Sequence, residues 1–356
     1  MRPLMTISLA GGATTDVLLA KDIQDLSAHL GGYGRSLLWV FDSNTVKLFR
    51  QLPPARIILD SGENSKNLAS LERIIASALD EGLSRDGRMI GFGGGVVGDI
   101  TSLAASLYMR GCKLSLVPTT LLAMVDASIG GKTAVDFHGM KNMIGTFYPA
   151  NEVLISIDML KSLSDREYKS GLAEVIKHAL LSENQELAKF LVSRRSEIID
   201  RDEDVLVKLV ELSLLVKKPY VECDPTESKD IRTMLNLGHT FGHALESSTR
   251  FSAFSHGAAI AWGTVRALEA GVALGITDKK YASSAAKLFS SFGYDLNHRI
   301  GRGEWIEFKN HLSKDKKKLG GDVQFVLLTG KGTPELHPLP WNLIQSLVME
   351  LAIGRV

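Results

Sequence analysis

Up to about residue 150 the chain alternates short apolar runs with helical stretches, and nothing else in it restricts the fold as much. The runs are Ser36-Leu37-Leu38-Trp39-Val40-Phe41, Ala55-Arg56-Ile57-Ile58-Leu59, Arg88-Met89-Ile90-Gly91-Phe92 and Leu114-Ser115-Leu116-Val117. Strands with no polar alternation have both faces to cover, and the helical stretches between them, such as Leu68 to Ala78, supply the cover. This predicts an α/β N-terminal domain with a doubly wound, Rossmann-like parallel sheet, a class that binds ligands at the carboxyl ends of its strands.

After roughly Leu160 the periodicity changes. From Arg166 to Pro219 the chain reads as successive amphipathic helices; in Asp204–Leu212 the residues Val205, Leu206, Leu209 and Leu212 follow helical spacing. Val207 and Val210 widen that stripe and leave a strand open for this piece taken alone. Helical patterns recur from Ala259 to Leu274 and from Tyr281 to Phe292, and the clearest strand-like run is Val323 to Leu328. The expected organisation is an α/β domain over 1–160 and a mainly α-helical domain over 161–356.

A length of 356 residues accommodates two cores. The formal charge of +1, from 41 basic and 40 acidic residues, gives no basic excess for nucleic acid or an acidic membrane surface. The dense cluster Lys314-Asp315-Lys316-Lys317-Lys318, standing alone, is the pattern of a solvated helix end. Two cysteines, Cys112 and Cys223, support neither a disulfide framework nor a CxxC metal site. With no export signal at Met1–Ile7 and no run of about 18 apolar residues, the expectation is a cytoplasmic protein.

Gly93-Gly94-Gly95-Val96-Val97-Gly98-Asp99 follows a predicted strand and precedes a helical run, and Gly93, Gly95 and Gly98 satisfy GxGxxG. Such glycines let a pyrophosphate approach the backbone at a helix N-terminus. A plain tight turn gives the same match, and the strand–turn–helix context favours the ligand. No Gly-Lys-Ser/Thr closes the motif, so a dinucleotide is a better fit than ATP.

Leu235-Asn236-Leu237-Gly238-His239-Thr240-Phe241-Gly242-His243 holds two histidines four residues apart, and His256 follows thirteen residues later. Positions i and i+4 share a helical face, so the set could gather nitrogen ligands for a divalent metal. Glu174 and Lys177, in Gly171–His178, form an i,i+3 ion pair by spacing; beside the histidines, Glu174 becomes a candidate oxygen ligand. Between Pro118 and Tyr148, Thr119, Thr120, Lys132, Lys141 and Asn142 offer phosphate-binding groups, with Asp126 ahead of Gly130-Gly131-Lys132-Thr133, although each lysine taken singly reads as a surface lysine.

Together these motifs resemble the 3-dehydroquinate synthase family of sugar-phosphate cyclases. The resemblance covers nearly the whole chain: Gly93–Asp99, Val117–Leu122, Gly130–Val135, Lys141–Gly145, Ala173–Lys177 and Leu235–His243 occur in the family's order. It implies that Glu174, His239 and His256 hold a zinc- or cobalt-type ion. It implies NAD contacts at Asp42, at Ser61, Gly62, Glu63, Asn64, Ser65 and Lys66, at Gly95, Val96, Val97, Gly98 and Asp99, at Thr119 and Thr120, at Lys132 and Lys141, and at Met159, Leu160, Lys161 and Ser162. Catalysis would fall to Lys132, Lys177, Arg232, Asn236 and His243, and substrate contacts to Asp126, Lys141, Asn142, Lys217 and Lys316. Arg110 would reach a neighbouring subunit's site in a homodimer.

The implied reaction converts the seven-carbon acid phosphate DAHP into 3-dehydroquinate and phosphate. It runs by transient NAD-dependent oxidation, phosphate elimination and intramolecular aldol closure, in the shikimate pathway. His243 would relay a proton near the metal, or be a core histidine. Three departures stand out. Ala258 replaces an acidic residue that the family usually has two places after the last metal histidine. The 61–66 loop lacks the aromatic that often precedes its lysine. The stretch 224–232 looks one residue longer than the family pattern and lacks its usual glycine, which leaves Lys217 and Lys218 as alternatives. The rival readings are another sugar-phosphate cyclase, a metal- and NAD-dependent polyol dehydrogenase, and a non-catalytic nucleotide-binding regulator.

Overall fold

The structure, a computed structural model, describes residues 1–34, 36–249, 253–319 and 323–349. The chain forms two compact units, Met1–Ser164 with Val221–Ser228, and Asp165–Tyr220 with Lys229–Val356. The short stretch Val221–Ser228 thus groups with the first unit rather than with its sequence neighbours.

The first unit opens with an antiparallel pair, β1 (Arg2–Ser8) and β2 (Thr14–Leu19), followed by α1 (Ile23–Gly31). Then come β3 (Leu37–Asp42), β4 (Arg56–Leu59), α2 (Leu68–Asp80), β5 (Arg88–Gly93), α3 (Gly95–Leu107) and β6 (Lys113–Pro118). A small hairpin, β7 (Val135–Phe137) and β8 (Met140–Ile144), precedes β9 (Glu152–Ile155). The main sheet runs β1-β2-β9-β6-β5-β3-β4, parallel throughout except for β1.

Every residue of β5 and β9 is buried, which is why the central strands carry no polar alternation. The chain leaves β3 for β4 on one side and returns to β5 on the other. That reversal leaves a crevice at the carboxyl ends of β3 and β5, where open parallel sheets bind ligands.

Among its described residues, the second unit is mainly helical, with one hairpin. Its helices are α4 (Asp165–Leu180), α5 (Glu186–Ser193), α6 (Arg195–Ile199), α7 (Glu203–Cys223, whose last residues belong to the first unit), α8 (His239–Ser248), α9 (His256–Ala273), α10 (Lys279–Ser291), α11 (Arg302–Leu319) and α12 (Trp341–Val348). The hairpin pairs β10 (Gln324–Gly330) with β11 (Thr333–Pro338). Asp204–Leu212 lies wholly within α7, so the strand left open for it does not form. Helix α9 is the centre of this unit: Ile260, Ala261, Trp262, Ala267 and Leu268 are all buried. No helix among the described residues is long and apolar enough to cross a membrane.

Candidate active site and metal centre

In the first unit the expected cofactor residues gather at strand carboxyl ends. Asp42 closes β3, and its Oδ1 accepts from the backbone N–H of Asn44 (2.9 Å) and Thr45 (2.8 Å). That carboxylate therefore builds the turn. The 61–66 loop follows β4 with Gly62 at φ 101°, a left-handed conformation suited to glycine. Gly95–Asp99 is the first turn of α3, and Thr119 and Thr120 follow β6, where Thr120 Oγ1 accepts from Ala123 N–H at 3.1 Å. Met159 and Leu160 are buried and Lys161 and Ser162 exposed, in the turn after β9.

The glycines of the turn divide their work. A Cβ at Gly93 would lie 2.6 Å from the Cβ of Val97, so Gly93 lets the strand meet the helix. A Cβ at Gly98 would meet nothing within 4 Å, leaving the helix start open on that side. Lys66 is buried, and its ammonium lies 2.5 Å from Asp99 Oδ2 and 2.5 Å from Asn142 Oδ1. Burial works against its charge, yet the surrounding carboxylates, Asp99 foremost, hold Lys66 above the ordinary lysine pKa. Lys66 thus ties the 61–66 loop to α3 and to the β7–β8 hairpin.

Asn142 takes a left-handed φ of 56°, and its N–H donates to Asp136 Oδ1 at 2.9 Å. Lys141 is exposed, 3.9 Å from Glu63. Lys132 is exposed and forms an ion pair with Glu227. Glu227 and Asp230 have φ of 53° and 58°, so the stretch that lacks the family's glycine carries two strained non-glycine residues. Asp126 is half-buried in a π-helical turn, and Arg110 is exposed with φ 66°.

In the second unit three helices bring Glu174 (α4), His239 (first residue of α8) and His256 (first residue of α9) together. Glycines beside the histidines make this approach close. A Cβ on Gly238, whose φ is +80°, would lie 2.6 Å from Thr264 N, and one on Gly263 would lie 2.7 Å from Gly242 N. Next to His256, a Cβ on Gly257 would lie 2.7 Å from the carbonyl carbon of Ser170, and the Gly257 N–H donates to Ser170 Oγ at 3.0 Å. Ser170 is one helical turn before Glu174, so this contact sets the start of α9 over the Glu174 face.

Gly257→Ala is therefore expected to cost about 1–3 kcal/mol by overpacking and to lower zinc retention, whereas Gly303→Ala, with nothing within 4 Å, should leave both unchanged. Thermal melting and metal content after gel filtration read the two effects.

Glu174 is fully buried, with Oε1 at 3.6 Å from His239 Nε2 and 3.7 Å from His256 Nε2. Its Oε2 forms an ion pair with the buried ammonium of Lys177. Among the described residues, and apart from that pair, neither solvent-excluded carboxylate oxygen has a hydrogen-bond donor. Buried carboxylates normally find such partners. Bonds of 2.0–2.1 Å to a tetrahedral ion would set ligand atoms about 3.4 Å apart, near the spacings seen. One carboxylate and two imidazoles with a position left for substrate is the donor set of a catalytic zinc-type site, so the residues fit the metal.

In the same unit Arg232 and Lys217 are buried and Asn236 is half-buried, while His243 is exposed, its ring centroid 5.2 Å from that of His239. Of the two lysines left open by sequence, Lys217 is buried and Lys218 half-buried. The side chain of Lys316 lies outside the described residues. Sequence reasoning missed Glu246, which is buried with Oε2 at 3.5 Å from His256 Nδ1. Its signal was available, since positions 239, 243 and 246 recur at helical spacing on α8.

The family model for the N-terminal part of 3-dehydroquinate synthase matches residues 56–170, and that for the C-terminal part matches residues 171–318. The chain is 40% identical to 3-dehydroquinate synthase of Dictyoglomus thermophilum over 280 residues, 79% of this chain and 78% of the relative. Among solved structures, it resembles 2-epi-5-epi-valiolone synthase of Streptomyces hygroscopicus subsp. jinggangensis 5008, with NAD+ and Zn2+ bound, at TM-score 0.84 and 22% identity over 96% of this chain and 97% of that one. It also resembles 2-deoxy-scyllo-inosose synthase, complexed with carbaglucose-6-phosphate, NAD+ and Co2+, at TM-score 0.80 and 22% identity over 96% and 98% of the chains. These two likenesses carry the two-part fold, an α/β sheet domain followed by a mainly helical one. The matches to the two family models cover most of the chain, and it belongs to the 3-dehydroquinate synthase family.

Proposed function

We propose that this chain is an enzyme, a carbon–oxygen lyase that converts DAHP into 3-dehydroquinate and inorganic phosphate. The observation that carries this reading is the convergence of Glu174, His239 and His256, in a chain whose sequence matches that family from residue 56 to 318. When bound, NAD would take up and return a hydride at C5 of the substrate, and a zinc or cobalt ion would polarise the oxygen at that carbon.

The chain's own residues supply the rest. The first turn of α3 and the loops after β3, β4, β6 and β9 would hold the dinucleotide, with Gly98 leaving room for its pyrophosphate. The Lys66–Asp99 pair fixes the shape of that cradle rather than presenting a free charge. Lys132, Lys141, Asn142, Lys217, Arg232 and Lys316 would bind the substrate's phosphate and carboxylate, with Asp126 ordering its hydroxyls. In the Lys132–Glu227 pair the lysine is exposed and the glutamate half-buried, so the lysine stays within reach of an anionic substrate. Asn236 and Lys177 would position the reacting carbon. His243 reaches solvent beside the metal ligands and would exchange the proton that elimination and ring closure require.

On this reading 1–160 is the NAD-binding part and 161–356 the metal- and substrate-binding part. The protein would act in the cytoplasm as a homodimer, with Arg110 completing a neighbour's site. Purified protein with NAD and zinc should release phosphate from DAHP without net NADH. Steady NADH from a polyol would point to a dehydrogenase. NAD binding with no turnover of any sugar phosphate would point to a regulator.

A further inference from the structure

His256 is engaged on both ring nitrogens. Its Nε2 lies 3.7 Å from Glu174 Oε1, and its Nδ1 lies 3.5 Å from Glu246 Oε2. An ionised carboxylate only accepts, so it directs the ring proton to Nδ1 and leaves the Nε2 lone pair for a metal. His239 is held by the same logic, with Nδ1 3.3 Å from the carbonyl oxygen of Leu237 and Nε2 3.6 Å from Glu174 Oε1. A carbonyl fixes one histidine and Glu246 the other.

Glu246 is 5% exposed, on the face of α8 that also carries His239 and His243. It therefore comes from a different helix than the ligand it touches, since His256 opens α9.

We propose that Glu246 is a positioning residue of the metal centre, fixing from α8 the ring plane and tautomer of His256. This rests on the metal-centre reading above. The same carboxylate also lies within ligand range of His243, so support of proton transfer is the competing role.

The test is zinc affinity of the metal-free protein, without NAD or substrate, by competition with a chromophoric chelator. Glu246→Ala should weaken zinc binding about 10–100-fold, the usual effect of losing such a partner. Glu246→Gln should fall between, because its amide oxygen still accepts but carries no charge. With cobalt in place of zinc, the visible absorption band should shift in both variants. Wild-type zinc affinity in both variants, with or without a fall in kcat, overturns the proposal, and a fall in kcat alone assigns Glu246 to His243. If Glu246→Ala does not fold, judged by melting of the metal-free protein, the isosteric Glu246→Gln decides. His239→Ala is the separate control: unchanged zinc binding there sinks the metal-centre reading itself.

Discussion

His239→Ala should leave the purified protein without stoichiometric zinc and lower kcat by about 10³-fold or more. The expected size follows from the donor set. Three side chains converge, and a catalytic site of this kind has three protein ligands and one open position. Removing one leaves Glu174 and His256, too few to hold the ion in a defined geometry. Lewis-acid polarisation is worth several kcal/mol, and each 1.36 kcal/mol is tenfold in rate, so losing about 4 kcal/mol costs about 10³.

His243→Ala provides the contrast. It lies on the same helix face, but it is exposed and is not in the Glu174 group. It should keep the metal while losing about 10²–10⁴ in rate, the range for a general acid–base group. Metal content by elemental analysis and phosphate release read the two columns of this comparison. Full metal and full activity in His239→Ala would sink the assignment of the metal centre.

Much of the first unit could be read from sequence because burial on both faces writes itself into the chain. β3, β4, β5 and β6 each surfaced as an apolar run within a residue or two of its observed bounds. The elements that escaped are those whose reasons lie elsewhere. The β7–β8 hairpin is mostly exposed and has no apolar period, yet Asn142 on it contacts Lys66, 76 residues away in sequence. β9 is only four residues long and begins with a charged one, Glu152, whose partners sit on β5, on β6, in α1 and just after α1. The histidine spacing marked α8 and suggested a metal. Which of the two histidines faces Glu174 depends on how α4 and α8 each pack against α9, and helix periodicity carries no such information. Glu246 shares the helical spacing of the two histidines, but its contact with His256 was hidden for the same reason: that partner starts another helix.

Glu152 itself carries the other large expected effect. Its carboxylate sits in the sheet with Oε1 at 3.1 Å from Arg88 and 2.6 Å from Ser115 Oγ, and Oε2 at 2.9 Å from both His29 and Tyr33 OH. Arg88 is 7% exposed, stacks over the Tyr33 ring at 3.9 Å, and also donates to Ser115. Every contact of this cluster lies within the first unit.

Glu152→Ala would leave the guanidinium buried without its counter-charge, which costs about 3–5 kcal/mol. Glu152→Gln keeps an acceptor and should cost less. The double variant Arg88→Met/Glu152→Leu removes both charges and should recover most of the loss, because well-packed apolar replacements of a buried pair are often neutral. The hydroxyl of Ser115, fully buried, would still lose two partners, leaving a deficit of about 1–3 kcal/mol. Hydrogen exchange in β5 and β6 should show the loss, while amides of α9 in the second unit stay as protected as in the unmodified protein. Equal destabilisation by the single and the double variant would mean that the lost packing of the side chains, not the stranded charge of Arg88, sets the cost.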